Sequence, residues 1–361
     1  MPLANEVVIS AAGSGKTRRL VRDALCDRSK RVLITTYTKE NRREVESRLW
    51  EEAGTIPHFV TVMSWFEFLL RECVKPYQSF RTDILTIRSI DFVGQRSRFA
   101  KKANFGHYFV DAGNNLYSDS VSDLACELDN ISGGKVVSRL RDRFDAILID
   151  ELQDLAGYDL DFLELLLKSG IRILGVADPR QVVYVTNNSA RNRKYRYGAI
   201  VTWVEVQRVA GLLSVSELVD SYRCNQSICD FGDSFYPHLS KTTGRNTEIV
   251  SDMGVHLVHV DDLVAYRTLH KPQELRWGRG KGDAWASDPM NFGEVKGMSF
   301  PRVLIHPTKP MMTHLESGVE LQPESRAKFY VAVTRARHSV GIVTQFRKTN
   351  SGLGFWSPAF P

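Results

Sequence analysis

Val7-Val8-Ile9-Ser10-Ala11-Ala12-Gly13-Ser14-Gly15-Lys16-Thr17 joins a short apolar run to a glycine-containing turn that ends in Lys-Thr. The run is long enough for one buried strand, and Arg18-Arg19-Leu20-Val21-Arg22-Asp23-Ala24-Leu25 reads as the helix that follows. A nucleotide phosphate needs this order of parts. Glycines let the backbone curl until several N–H groups converge, and the new helix adds its positive N-terminal end. Gly13, Ser14, Gly15, Lys16, Thr17 and Arg18 are therefore the candidate phosphate contacts. Lys16 would reach the terminal phosphates, and the Thr17 hydroxyl would hold Mg²⁺, a hard cation that prefers oxygen. The strict pattern begins with Gly where this chain has Ser10.

Further strand-then-turn units follow. Arg31-Val32-Leu33-Ile34-Thr35-Thr36 is β-rich and leads to Tyr37 and Thr38, where Thr38 can cap the next helix. Phe59-Val60-Thr61-Val62-Met63-Ser64 leads into an apolar helix expected over Trp65–Leu70. The strand Phe144-Asp145-Ala146-Ile147-Leu148-Ile149 delivers Asp150-Glu151-Leu152-Gln153-Asp154 at its C-terminal end. Two adjacent carboxylates there suit nucleotide hydrolysis: Asp150 completes a Mg²⁺ shell, and Glu151 orients or deprotonates the attacking water. Ile171–Ala177 is another buried strand, ending at Asp178-Pro179-Arg180-Gln181, where the Gln181 amide can sense the γ-phosphate. In Arg191-Asn192-Arg193-Lys194-Tyr195-Arg196-Tyr197 basic and aromatic residues interleave, a composition that suits phosphates and bases but also an ordinary solvated loop.

The chain has 361 residues, enough for two or three domains, and a mild basic excess of +6 that permits a nucleic-acid partner without demanding one. No apolar run approaches the roughly 20 residues needed to span a bilayer, and the few residues before the glycine turn leave no room for a signal peptide. Five scattered cysteines read as reduced thiols of a cytoplasmic protein. The pattern restarts near Gly211. The expected organisation is a first domain over 1–210, with a partly helical insertion at about 71–143, and a second over 211–361. Arg276-Trp277-Gly278-Arg279-Gly280-Lys281-Gly282 reads as a flexible loop without chemistry.

The order of these motifs resembles the UvrD/Rep-type superfamily 1 DNA helicases over nearly the whole chain. After the phosphate loop, Thr36-Tyr37-Thr38 and Thr61-Val62-Met63-Ser64-Trp65-Phe66 are similar to the family's first strand-contacting motifs. Asp150-Glu151-Leu152-Gln153-Asp154 matches its D-E-x-Q-D box, and Ala177–Tyr184 its coupling motif. Ser221-Tyr222-Arg223 resembles N-Y-R, Val295-Lys296-Gly297-Met298-Ser299-Phe300 resembles V-K-G-x-E-F, and Tyr330–Ala336 resembles Y-V-A-x-T-R-A.

The resemblance implies an α/β fold of two RecA-like P-loop NTPase domains with parallel sheets and ATP and Mg²⁺ in the cleft between them. It further implies stacking by Tyr222, a nucleotide contact at Gly297, and arginine fingers at Arg223 and Arg335. Single-stranded DNA would be gripped by Tyr37, Thr38, Thr61, Ser64 and Tyr184, with 3′-to-5′ movement by analogy. Some features depart from the family. No glutamine precedes the loop to read adenine, Ser299 replaces a ribose-binding Glu, and no tryptophan follows Tyr184. Tyr184, with Tyr195 or Tyr197, would have to substitute for that tryptophan. The stretch from Arg223 to Lys296 is also short where the family inserts a large subdomain. Two functions fit: an ATP-driven DNA translocase or helicase, or a non-unwinding ATP- and nucleic-acid-binding switch that recruits or gates a partner such as a nuclease. Replication, repair and defence factors are equally compatible partners.

Overall fold

The computed structural model describes residues 5–82, 86–97, 99–183, 186–187, 189–278, 287–349 and 351–358. Arg98, Tyr184 and most of the glycine-rich loop read above (Arg279, Gly280, Lys281 and Gly282) lie outside that set. The chain divides into two compact units. The first comprises Met1–Ile9, Lys16–Pro179 and Tyr184–Glu217, and the second comprises Ser10–Gly15, Arg180–Val183 and Leu218–Pro361.

In the first unit the strands are β1 (Glu6–Ser10), β2 (Val32–Thr36), β3 (Val60–Ser64), β4 (Ile90–Asp91), β5 (Leu116–Tyr117), β6 (Ala146–Ile149), β7 (Arg172–Ala177) and β8 (Ser214–Leu218). Six of them form one sheet in the order β3-β2-β6-β7-β1-β8, and β4 pairs with β5 alone. The pairs β1/β7, β6/β7, β2/β6 and β2/β3 are parallel, with Val8 opposite Val176 and Ile34 opposite Leu148. Every residue of β2 and β6 is buried. Strands covered on both faces read as near-continuous apolar runs, which is why these segments stand out in the sequence. Because they run parallel, Thr36, Ser64, Ile149 and Ala177 all end at one edge of the sheet, where open α/β sheets bind ligands. The unit's core joins Leu33, Ile147, Leu163, Ile173 and Trp203.

One local expectation is corrected. The helix after β3 is α-helical only over Trp65–Phe68 and continues as a wider π-helical turn over Leu69–Val74. Within that turn the buried Glu72 meets Arg139 at 2.8 Å and Arg143 at 3.0 Å. A partnered buried carboxylate of this kind is set by tertiary contacts rather than by local helical pattern.

The second unit holds β9 (Asp220–Ser221), β10 (Thr243–Gly244), β11 (Gly254–His259), β12 (Gln273–Arg276), β13 (Met290–Asn291), β14 (Phe300–His306) and β15 (Ala336–Thr344). Its main sheet runs β11-β15-β14-β12-β13 and is parallel throughout. Leu257, Val303, Ile305, Ile342 and Phe329 centre its core. Trp356 is buried with its ring 5.0 Å from Tyr266 and 5.7 Å from His270. Both units are thus α/β with parallel sheets, the expected fold class. Among the described residues no helix is long and apolar enough to cross a membrane.

Candidate functional site

In the first unit, the edge of β6 and the start of the helix Lys16–Leu25 bring four predicted residues together. Lys16 Nζ lies 2.8 Å from Glu151 Oε2. Thr17 Oγ1 donates to Asp150 Oδ2 at 3.4 Å, and Asp150 Oδ1 accepts the Glu151 N–H at 3.0 Å. Burial, reinforced by the neighbouring Glu151 charge, pushes the Asp150 carboxyl up to about 7 against the opposing pull of Lys16. Glu151 is buried and takes the left-handed backbone conformation at φ 55°. For a residue with a β-carbon that conformation costs on the order of 1–3 kcal/mol and persists only where surrounding contacts dictate it. The Gln153 amide supplies one such contact by donating to Glu151 Oε2. Gln153 Oε1 in turn accepts the Asp178 N–H at 2.9 Å, tying the edge of β6 to that of β7. Gln153 fills the glutamine position of the D-E-x-Q-D match, and its link between Glu151 and Asp178 is visible only in the folded chain.

The donor set fits a hard divalent cation. A buried carboxylate raised by desolvation beside a hydroxyl offers two oxygens, the small protein contribution that Mg²⁺ takes when water and phosphate complete its shell. Arg18 is not part of this cluster; its Nε pairs with Glu52 at 2.9 Å in a largely exposed contact.

The predicted DNA contacts of this unit lie at the ends of β2 and β3. Thr38 Oγ1 accepts the Asn41 N–H at 3.1 Å and caps the helix Lys39–Ala53. Ser64 Oγ accepts the Glu67 N–H at 3.1 Å and caps the next helix. Thr61 is half-buried within β3, and the Tyr37 ring lies 6.1 Å from that of Phe66. Tyr184 lies outside the described residues. In the basic–aromatic stretch, Arg191 pairs with Asp161 at 2.6 Å and Arg196 donates to the carbonyls of Asn187 and Ser189. Arg193, Lys194 and Tyr197 are exposed.

In the second unit, residues 10–15 pack against the motifs that follow β8. Gly13 and Gly15 have φ of 75° and 79°. Such a turned backbone aims successive N–H groups at one anion. Ser14 Oγ is buried without a hydrogen-bond partner among the described residues, which fits a phosphate oxygen. Ser221 Oγ donates to the Ala12 carbonyl at 2.7 Å, the Tyr222 N–H donates to the Gly13 carbonyl at 3.0 Å, and the Tyr222 side chain is exposed. The Ala12 N–H also donates to Tyr330 Oη at 3.4 Å. Ser221 and Tyr330 fall inside recognised motifs, but their support of this loop needed the folded chain to be seen.

Arg223 Nη1 donates to the Thr334 carbonyl at 3.1 Å. Arg335 is fully buried and donates to Gln181 Oε1 at 3.2 Å, the Val331 carbonyl at 3.0 Å and the Met298 carbonyl at 3.3 Å. Gly297, at φ 91°, immediately precedes Met298.

A β-carbon at Gly13 would lie 2.6 Å from Arg223 Cβ and 2.9 Å from Ser221 Oγ. Gly13→Ala is therefore expected to cost roughly 2–5 kcal/mol, from left-handed backbone strain together with overpacking. Urea unfolding with paired nucleotide-binding titrations measures both the stability loss and the weaker phosphate grip; unchanged values for both would refute the close approach.

Residues 100–193 match the model of the UvrD/REP helicase N-terminal domain. The RecBCD enzyme subunit RecB of Borreliella burgdorferi is 36% identical over 50 residues, which are 14% of this chain and 4% of that protein. Among solved structures, arterivirus nonstructural protein 10 (helicase) aligns with a TM-score of 0.47 at 14% identity, over 95% of this chain and 60% of that one. The same arterivirus helicase in complex with DNA aligns with a TM-score of 0.47 at 15% identity, over 95% and 61%. The chain thus spans about three fifths of these helicases and matches a small part of RecB. The match over residues 100–193, with the motif order before and after it, bears out the resemblance of this chain to the UvrD/Rep-type superfamily 1 helicases.

Proposed function

We propose that this chain is an ATP-hydrolysing motor on single-stranded DNA, a translocase or helicase. The observation that carries the proposal is the meeting of Lys16, Thr17, Asp150 and Glu151 at the C-terminal edge of a parallel sheet. Phosphate-binding and water-activating groups come from segments far apart in sequence, and nucleotide hydrolysis needs both. Gly13, Ser14 and Gly15 would cradle the phosphates, with Lys16 leaving Glu151 to neutralise their charge. Thr17 and Asp150 would hold Mg²⁺, which when bound offsets negative charge on the phosphate oxygens. Glu151 would accept the proton of the attacking water, while Arg223 and Arg335 would stabilise charge in the transition state. Gln181, bonded to Arg335, would report the nucleotide state, with Tyr222 stacking on the base and Gly297 beside it. Tyr37, Thr38, Thr61, Ser64 and Tyr184 would contact the strand. Movement 3′-to-5′ follows from family analogy alone.

Steady-state ATP hydrolysis with and without a single-stranded oligonucleotide tests the proposal. Stimulation by DNA is expected, and ATP turnover indifferent to DNA would remove the motor.

A second reading is a non-unwinding ATP- and nucleic-acid-binding switch that gates a partner such as a nuclease. It draws on one observation: the Thr38 hydroxyl both accepts the Asn41 N–H and donates to Asn41 Oδ1, which leaves it less free to grip DNA. RecB is by name a subunit of a larger enzyme, which suits a partnered role. Strand displacement by the isolated chain would exclude the switch.

A further inference from the structure

From Arg88 to Lys102 the sequence holds five basic side chains and one carboxylate. The same stretch exposes large apolar side chains. Phe92 is 63% exposed, and Val93 and Phe99 are each 92% exposed. Single exposed apolar residues need no explanation, but a cluster of them rimmed by charge marks an interaction surface.

Phe92 and Val93 are held in place by their own turn. β4 is anchored by its pairing with β5, Ile90 opposite Leu116 and Asp91 opposite Tyr117. The Asp91 carboxylate then accepts the N–H groups of Val93 and Gly94 at 2.9 and 2.8 Å. A β-carbon at Gly94 would crowd the Asp91 carboxylate, so glycine lets that carboxylate fold back over the turn. The one carboxylate of the stretch is thus spent on presenting Phe92 and Val93 to solvent.

On its inner side the Phe92 ring meets Phe66 edge-on, with centroids 5.1 Å apart, and Phe66 lies 6.1 Å from Tyr37. Tyr37 follows β2, and Phe66 lies in the first turn of the helix after β3. A row of three rings therefore runs from the ends of β2 and β3 out to solvent at Phe92.

We propose that Phe92, flanked by Val93, is a base-stacking platform that carries single-stranded DNA from the Tyr37–Ser64 edge onto the Arg88–Lys102 stretch. The proposal rests on the nucleic-acid reading above and deepens it. An unpaired base presents a π-face that an exposed ring can stack on, and neighbouring cations neutralise the backbone. Arg88 and Lys101 are exposed, and the guanidinium of Arg96 sits 4.1 Å from the centroid of the Tyr108 ring, while Lys102 is paired with Asp123 and Glu127 and serves the fold instead. Cations interleaved with rings suit a charged strand better than an apolar protein helix, which would need a continuous groove.

The test uses the full chain as Phe92→Ala and Phe92→Trp, with oligo(dT) carrying one 2-aminopurine. Phe92→Ala is expected to weaken equilibrium binding roughly 5- to 150-fold, the range for losing one stacked base. It should also relieve stacking-dependent quenching of the 2-aminopurine. Phe92→Trp should restore both, ATP hydrolysis without DNA should be unchanged, and the salt dependence of binding should keep its slope because no phosphate contact is lost. Unchanged affinity and quenching in Phe92→Ala would overturn the platform and leave the motor standing. A parent chain that binds no oligonucleotide would overturn both.

Discussion

Glu151→Gln is expected to lower kcat for ATP hydrolysis by about 10²- to 10⁴-fold while nucleotide binding persists, the range for removing a general base. The substitution preserves shape and removes the proton acceptor. Glu151 is held by Lys16 at 2.8 Å and by the Gln153 amide, in a backbone conformation that few non-glycine residues adopt. Both members of the Lys16–Glu151 pair are largely buried, with side chains 15% and 7% exposed. Neutralising one member leaves the other's charge poorly compensated, so a modest loss of thermal stability should accompany the loss of rate. Phosphate-release kinetics beside fluorescent-nucleotide binding separate the two effects. A variant with parental kcat would remove Glu151 from the chemistry and leave it a structural partner of Lys16.

Arg335→Ala should produce a drop of similar or greater size, about 10³- to 10⁵-fold in kcat, if Arg335 acts on the transferring phosphate. The structure adds a second consequence. Arg335 is 1% exposed and donates to Gln181, Val331 and Met298, so truncation removes buried hydrogen bonds, at about 1–3 kcal/mol for an acceptor left unsatisfied. Stability and rate should therefore fall together, and the alanine variant alone cannot apportion them. Arg335→Lys can. A lysine keeps the charge but not the planar fork, so it should recover part of the stability and little of the rate. Urea unfolding and single-turnover hydrolysis on both variants make the comparison. Full activity in the folded lysine variant would show that Arg335 braces the segment around Gln181 rather than touching phosphate.

Much of the site was legible because its chemistry restricts residue type. The proposed chemistry asks for Lys, a hydroxyl and paired carboxylates at Lys16, Thr17, Asp150 and Glu151, and these follow the apolar strands β1 and β6. The α/β class, the main strands and the four residues that meet at the edge of β6 are thus readable from local pattern alone.

Packing of the whole chain set what no local pattern encodes. It set the strand order, with β7 between β6 and β1, and it placed β8 at the edge of the first sheet. It seated Trp356 against Tyr266 and His270, and it buried Arg335 among carbonyls. It also joined Phe92 to Phe66 across 26 positions of chain that share no periodicity. The physical reason is common to all of these. A hydroxyl becomes a cap, an arginine a brace or a ring a platform according to which atoms from distant segments come within a few ångströms. That proximity follows from packing the whole chain, in which each contact gains little alone and its partner is chosen by the rest of the core.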